Sequence, residues 1–271
     1  MRDSCINSFS ITPGYAGGFL YEWRVDGGFN DPGPWFFTVQ EGMSESGPWR
    51  DLSCGLKNVM FWMEPCKRHL VGKSNVLFFR LELKTPNGTY FSHVAQPYGD
   101  LSRRHYLLAR EIMRREVLRA NVLSGVECDV YIKSTFGPRC THCIDPVTGY
   151  VRDSHCKWCF GTGRYPAYLG PHRMLLSFGP DAQHTKTNDV YGTHEDKILE
   201  AVAIGNPVLK KGDVVVDVST DKRYVIGVCS ITSEVRRVAC IQHLMFEEAA
   251  LSDSVYSIGS ESGLKQEDSD E

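Results

Sequence analysis

The sequence predicts a mainly β chain in which an N-terminal sandwich, one long helix and a small C-terminal β-barrel carrying a cysteine knuckle follow one another. Three observations carry this. Twenty-five Gly and 13 Pro are spread through 271 residues, the punctuation of many short strands and turns. In "VLFFRLELKT" apolar residues alternate with polar ones, the period of a strand. Only within 99–126 do they recur at three- and four-residue spacing, the period of a helix. The length allows two modest domains, and 42% hydrophobic with 23% charged residues is ordinary globular composition.

Residues 1–98 form the expected sandwich. "GFLYEWRVDGG" and "WFFTVQEGMSESGPW" read as strands separated by turns. In "VLFFRLELKT", Phe79, Leu81 and Leu83 share one face while Arg80, Glu82 and Lys84 share the other, the pattern of a half-buried strand. "TPNGTY" then supplies an Asn-Gly hairpin turn. Trp23, Trp35, Phe36, Phe37, Trp49, Phe61 and Trp62 are read as core, with a sugar-binding platform as the alternative. The stretch "QEGMSESGPWRDL" and the later tyrosine-bearing hairpin resemble fibronectin type III and related immunoglobulin-like sandwiches over about 90 residues. The resemblance implies an interaction or spacer module.

Residues 99–126 form the connecting helix, with Asp100 as N-cap and Gly125 as stop. Leu101, Leu108, Ala109, Ile112, Met113, Val117 and Ala120 make its packing face. Arg103, Arg104, Arg110, Arg114, Arg115 and Arg119 are interleaved with Glu111 and Glu116. That mixture reads as a solvated, ion-paired face; the alternative is docking to an acidic protein surface or a phosphate backbone.

Residues 127–246 hold the cysteine segment and the barrel. "VECDVYIKSTFG" is a strand leading into the cysteines, and "HRMLLSFGP", "KILEAVAIGNPVLKKGDVVVDVST", "DKRYVIGVCSI" and "RRVACIQHLMFEE" alternate strands with turns, as in a small antiparallel barrel. "DAQHTKTNDVYGTHED", with His184, Asp189, His194, Glu195 and Asp196, reads as a long surface loop and contact arm rather than a metal or acid-base site. Residues 247–271 carry eight acids and one Lys, the composition of a flexible tail. The remaining body is close to neutral, unlike the strongly basic footprint of a dedicated nucleic-acid binder.

No apolar run reaches about eighteen residues and "MRDSCINSFS" lacks the apolar centre of an export signal, so a reducing interior is expected, where paired Cys-x-x-Cys reads as a metal site. Cys140, Cys143, Cys156 and Cys159 stand in "CTHCIDPVTGYVRDSHCKWC". Two tight turns aim four sulfurs at one point, and Gly149 permits the intervening hairpin. Four thiolates close a tetrahedron around zinc with no open position, a structural role. An iron-sulfur cluster, a thiol-redox pair, and replacement of a cysteine by His142 or His155 are the weaker readings. Gly161 and Gly163 allow backbone amides to face sulfur. "CKWCFGTG" also matches the zinc repeat of J-domain co-chaperones, but one copy without "HPD" does not make that family. Only Arg152 and Lys157 are basic between the knuckles, opposed by Asp145 and Asp153, so nucleic acid is not the expected ligand. Cys128, Cys229 and Cys240, with Cys5, Cys54 and Cys66, are read as small buried hydrophobes.

Neither a phosphate-binding Gly-Lys-Ser/Thr loop nor a Gly-x-Ser-x-Gly elbow nor a His-Glu-x-x-His pattern occurs, and no enzyme is expected. "FGPRCTHCIDPVTGYVRDSHCKWCFGTGRYPAYLGP" is similar to a segment of tailed-bacteriophage structural proteins, "FGxRCxxCxDPVTGxxxxSxCxxCxGTG". "KKGDVVVDVSTDKRYVIGVCSITSEVRRVACIQHLMFEE" resembles the small barrels of phage head-closure and tail-joining proteins. The resemblance implies a virion component, made in the host cytoplasm, at the neck, head-tail connector, tail or baseplate. Its partners would be other virion proteins and copies of itself in a ring, with no membrane and no small-molecule substrate. The alternatives are a zinc-dependent nucleic-acid-binding or regulatory protein and a carbohydrate-binding module of a tail spike.

Overall fold

A computed structural model describes residues 5–65, 77–97, 102–146, 148–179, 183–189 and 192–259, with the side chains of 183–198 outside that description. It is mainly β. Strands β1 (Ile6–Pro13), β2 (Phe19–Val25) and β6 (Phe61–Met63) form one antiparallel sheet. A second contains β3 (Phe36–Gly42), β4 (Trp49–Asp51), β5 (Leu56–Lys57), β7 (Phe78–Thr85) and β8 (Gly88–Phe91). Their apolar faces meet in an aromatic core, with Tyr21 5.5 Å from Phe79 and Trp23 5.2 Å from Phe37. Phe79, Leu81 and Leu83 are fully buried, as their alternation requires.

Several side chains depart from the sequence reading. Phe36 is exposed and Trp49 lies outside the core. Trp49 and Phe91 each face the Arg80 guanidinium at 4.4 Å, on the opposite side of the sheet from Phe79. Phe61 and Trp62 are half-buried. The β7–β8 hairpin forms, but Thr85 pairs with Gly88, so Pro86 and Asn87 make the turn instead of Asn87-Gly88. The Asp31 carboxylate sets this register by accepting hydrogen bonds from Thr85 Oγ1, Asn87 Nδ2 and Tyr90 Oη.

Helix α1 (Arg103–Arg119) is capped by Ser102, whose Oγ accepts the His105 N–H; Asp100 and Leu101 lie outside the described residues. Tyr106 enters the sandwich core and donates from Oη to the Gly18 carbonyl at 3.1 Å. One and two turns on, Ala109 and Met113 pack against Ile204, Val235, Val238 and Cys240. The helix therefore joins two cores. Its phase follows Tyr106, which leaves Leu108 50% exposed. Glu111 pairs with Arg114 and Arg115, and Glu116 with Arg119, the ion-paired face its charge pattern suggests. A π-helical turn, Ala120–Ser124, ends at Gly125, where a Cβ would meet the Ala120 carbonyl oxygen at 2.6 Å.

The remaining strands are β9 (Gly125–Lys133), β10 (Tyr168–Phe178), β11 (Gln183–Asp189), β12 (Gly192–Ile204), β13 (Val214–Asp217), β14 (Arg223–Val235) and β15 (Val238–Glu248). They run in the order β10-β9-β13-β14-β15-β12, and β10 pairs back onto β12 through Ser177↔Val202 and Phe178↔Ala201, closing a six-stranded barrel that has no free edge along this path. Cys128, Val130, Met174, Leu176, Leu244 and Phe246 are among its filling. Gln242 is fully buried and fully used. Its amide donates to the Ile204 and Pro207 carbonyls, and its oxygen accepts the Leu209 N–H.

Two expectations for this half are corrected. The 181–196 stretch is not an open loop, because β11 pairs with β12 from Gln183↔Ile198 to Asp189↔Gly192; the β-branched residues Thr185, Thr187, Thr193 and Ile198 give it enough strand character to extend β12. Residues 247–271 are not wholly a free tail either: β15 runs to Glu248, and Val255 and Ile258 are buried against Val214 and Val216. The run "VVV" in β13 is apolar on both faces, so its outward valines need this cover. Arg223, itself buried, donates to the Val255 and Ile258 carbonyls.

His172 on β10 lies against Phe61 with ring centroids 4.3 Å apart and the rings tilted, and its Nε2 is buried without a hydrogen-bond partner. Burial lowers its pKa to about 4. The folded state then binds fewer protons than the unfolded one, so stability is complete above the ordinary histidine value near 6.5 and is lost as pH falls toward 4. His172→Phe is expected to remove about 2–3 kcal/mol of the stability lost between pH 7.5 and 4.5, read as the difference between variant and wild-type urea midpoints. Equal acid sensitivity in the two proteins would contradict this.

Candidate metal centre

Residues 134–167 are the loop of a hairpin, since Lys133 at the end of β9 pairs with Tyr168 at the start of β10. Its base is zipped by the Ser134 N–H to the Ala167 carbonyl, the Tyr165 N–H to the Pro138 carbonyl and the Cys140 N–H to the Gly163 carbonyl, each at 2.9 Å. The two Cys-x-x-Cys turns sit on opposite arms, Cys140 and Cys143 on the first, Cys156 and Cys159 on the second. Between them the chain returns through a small turn. The Gly149 N–H bonds the Asp145 carbonyl, Gly149 takes φ +71°, and Arg152 donates to the Asp145 carboxylate at 2.6 Å.

The glycines of the second turn have distinct reasons. Gly161 has φ +73°, and a Cβ there would lie 2.3 Å from the Ser154 carbonyl oxygen. Gly163, also at φ +73°, donates its N–H to Cys159 Sγ at 3.3 Å, the amide-to-sulfur contact its sequence position suggests.

The four expected ligands converge. All four Sγ atoms lie within 4.8 Å of one another, with Cys140–Cys156 at 4.0 Å and Cys143–Cys159 at 3.2 Å. A metal bonded to four sulfurs at about 2.3 Å needs edges of about 3.8 Å, which this spread brackets. No cysteine of the four exceeds 5% exposure. Around them pack Ile144, Trp158, Phe160, Tyr165 and Tyr168. His142 is exposed and stacks on Trp158, and exposed His155 bonds Ser154, so neither takes a ligand position.

Electrostatics sharpen the reading. Burial, reinforced by contact with Cys159 and Cys140, pushes the Cys143 thiol far up, and burial also raises Cys159. Burial acts on Cys140 in the same sense, but hydrogen bonds from Tyr165 Oη and from the His142 and Cys143 amides outweigh it and bring that thiol down to about 7. Four thiolates confined this closely repel one another, and a cation at their centre relieves them. The cluster can hold a metal ion, and it is the one such group of three or more ligating side chains among the described residues.

Tyr165 is a participant that residue order does not reveal. Its Oη lies 3.2 Å from Cys140 Sγ, and the only trace in the sequence is an aromatic residue following the second turn. Of the other cysteines, Cys128 and Cys240 are buried and Cys5 and Cys229 half-buried, whereas Cys54 is exposed because it stands in the turn after β4. Cys66 lies outside the described residues, as do the side chains of His184, Asp189, His194, Glu195 and Asp196. No described helix is long and apolar enough to cross a membrane. No protein-family model and no curated protein matches the chain.

Proposed function

We propose that this chain is a structural component of a tailed-phage virion, a neck or head-tail connector or a tail or baseplate adaptor, that works through protein-protein contacts and holds one structural zinc ion. The observation that carries the reading is the buried cluster of four thiols at the base of a hairpin loop, set in the phage-like pattern from Phe136 to Gly163. Zinc suits it because d¹⁰ Zn²⁺ accepts four thiolates in a tetrahedron, leaving no position for water or substrate. A fibronectin type III-like arrangement of the two N-terminal sheets belongs to the same proposal.

Contact surface is available. Leu107, Leu118, Val122 and Leu123 on and after the helix are 40%, 49%, 78% and 75% exposed, more apolar area than a solvated helix face needs. Against the nucleic-acid alternative, three of the six helix arginines are ion-paired to Glu111 and Glu116. Against a sugar platform, the guanidinium of Arg80 occupies the faces of Trp49 and Phe91.

Native mass spectrometry before and after a zinc chelator tests the proposal. One zinc per chain, lost together with the fold, and a ring-like oligomer support it. A folded, metal-free monomer that neither oligomerises nor joins purified particles would overturn it.

A further inference from the structure

Between the sandwich and the barrel lies a cavity of about 480 Å³ that has no part in the assembly reading. One wall is β1, which presents Ser8, Ser10 and Thr12 at alternate positions. Thr12 Oγ1 is buried without a hydrogen-bond partner, and a desolvated hydroxyl of this kind is costly unless something bonds it.

Five cations converge on the same cavity: Arg24 from β2, Lys133 at the end of β9, Lys210 and Lys211 from the β12–β13 connection, and Arg237 from the β14–β15 turn. None of them is ion-paired to a described residue within 4.0 Å. Burial and then repulsion from Arg24 hold Lys210 below the usual lysine range, the expected result of crowding like charges. The chain as a whole carries a net charge of -3, so this concentration is local.

The two acids in the cavity wall are already engaged. Asp213 is 2% exposed and accepts the backbone N–H groups of Lys133 at 2.8 Å and Lys210 at 2.7 Å. Glu22 accepts the Val208 N–H. They also attract the cations, Glu22 acting on Arg24 and Lys210 and Asp213 acting on Lys210 and Lys133, so two acids stand against five cations.

The β14–β15 turn adds an independent observation. Val235 pairs with Val238, so Arg236 and Arg237 are the two turn residues, with φ +49° and +68°. A two-residue hairpin turn with both φ positive favours Asn-Gly, and arginine there is strained. Strain is retained where a side chain is needed, and Arg237 is the residue this turn delivers to the cavity.

We propose that the cavity between sandwich and barrel is a binding site for a compact polyanion carrying two or more phosphate groups, held by Arg24, Lys133, Lys210 and Arg237 and bonded by the Thr12 hydroxyl. A single carboxylate would leave most of the five cations unused. A nucleic-acid strand needs a track of charge along a surface, whereas these cations line a single cavity. Lysine heads and hydroxyls are suited to the many acceptors of a phosphate chain.

The test is isothermal titration of the full chain with tripolyphosphate at fixed ionic strength, alongside inorganic phosphate and a single-stranded oligonucleotide. Tripolyphosphate is expected to fill one site per chain at least tenfold more tightly than phosphate. Thr12→Val and Lys210→Gln should each weaken it at least tenfold, and Arg103→Gln, on the helix and outside the cavity lining, should not. Arg237→Gly separates fold from function: it is expected to raise Tm, because glycine is at ease at that φ, while weakening tripolyphosphate at least tenfold. Equal affinity for phosphate and tripolyphosphate, unchanged affinity in the cavity variants, or tighter binding of the oligonucleotide would each overturn the proposal.

Discussion

Replacing Cys159 by serine is expected to lower metal affinity by more than about 100-fold and to collapse the order of residues 134–167. The reason is compositional. The buried members of that segment's own cluster are the four cysteines and Ala167, so the ligands are most of its core and little apolar burial remains without the ion. Metal binding and folding of such a segment are one equilibrium. Elemental analysis with a thermal melt, compared with wild-type protein treated with a chelator, should give the same low transition for both. Cys140→Ser should behave alike, and the disturbance should spread into the barrel through β9 and β10, whose first pair closes the loop. A Cys159→Ser protein with the wild-type metal count and Tm would remove the basis for a structural ion.

Phe136→Ala is expected to cost about 3–5 kcal/mol by a different route. Phe136 stands at the root of the same loop, is 1% exposed, and lies 4.5 Å from Trp35 in the sandwich core. Beside it the Gly137 N–H donates to the Phe29 carbonyl, and a Cβ on Gly137 would strike Trp35 at 2.6 Å. Truncating the ring opens a cavity at the joint between the two halves without touching a ligand. Chemical denaturation should report the loss while the metal count stays at the wild-type value. A loss below about 1 kcal/mol, small for a buried aromatic truncation, would mean that the halves are held together elsewhere.

These two variants mark how far the candidate site can be read from residue order. The four ligands are legible because each pair is local, three positions apart within its turn, and because Gly149 announces the return between them. Phe136 and Tyr165 are not. Phe136 is one apolar residue at a strand end, and its partner Trp35 stands about a hundred residues earlier in the chain; Tyr165 reaches Cys140 from 25 residues away. The polyanion cavity is hidden for the same reason, since β1, β2, β9 and the β14–β15 turn lie far apart in the chain and each supplies only part of its lining.

Residue order alone settles what depends on neighbours: the alternation that buries Phe79, Leu81 and Leu83, the helix period over Arg103–Arg119, the turns between the barrel strands, and the paired cysteines. Distant partners settle the rest. Tyr106, bonded to the Gly18 carbonyl, sets the helix phase that leaves Leu108 in solvent. The pairing of β10 with β12 closes the barrel, the 183–198 stretch folds back as a hairpin, and Val255 and Ile258 cover the outer valines of β13 although their surroundings in sequence are acidic and Ser-rich. Propensity and periodicity act within a turn or two of chain, whereas burial is fixed by whichever surface remains uncovered once every element has been placed.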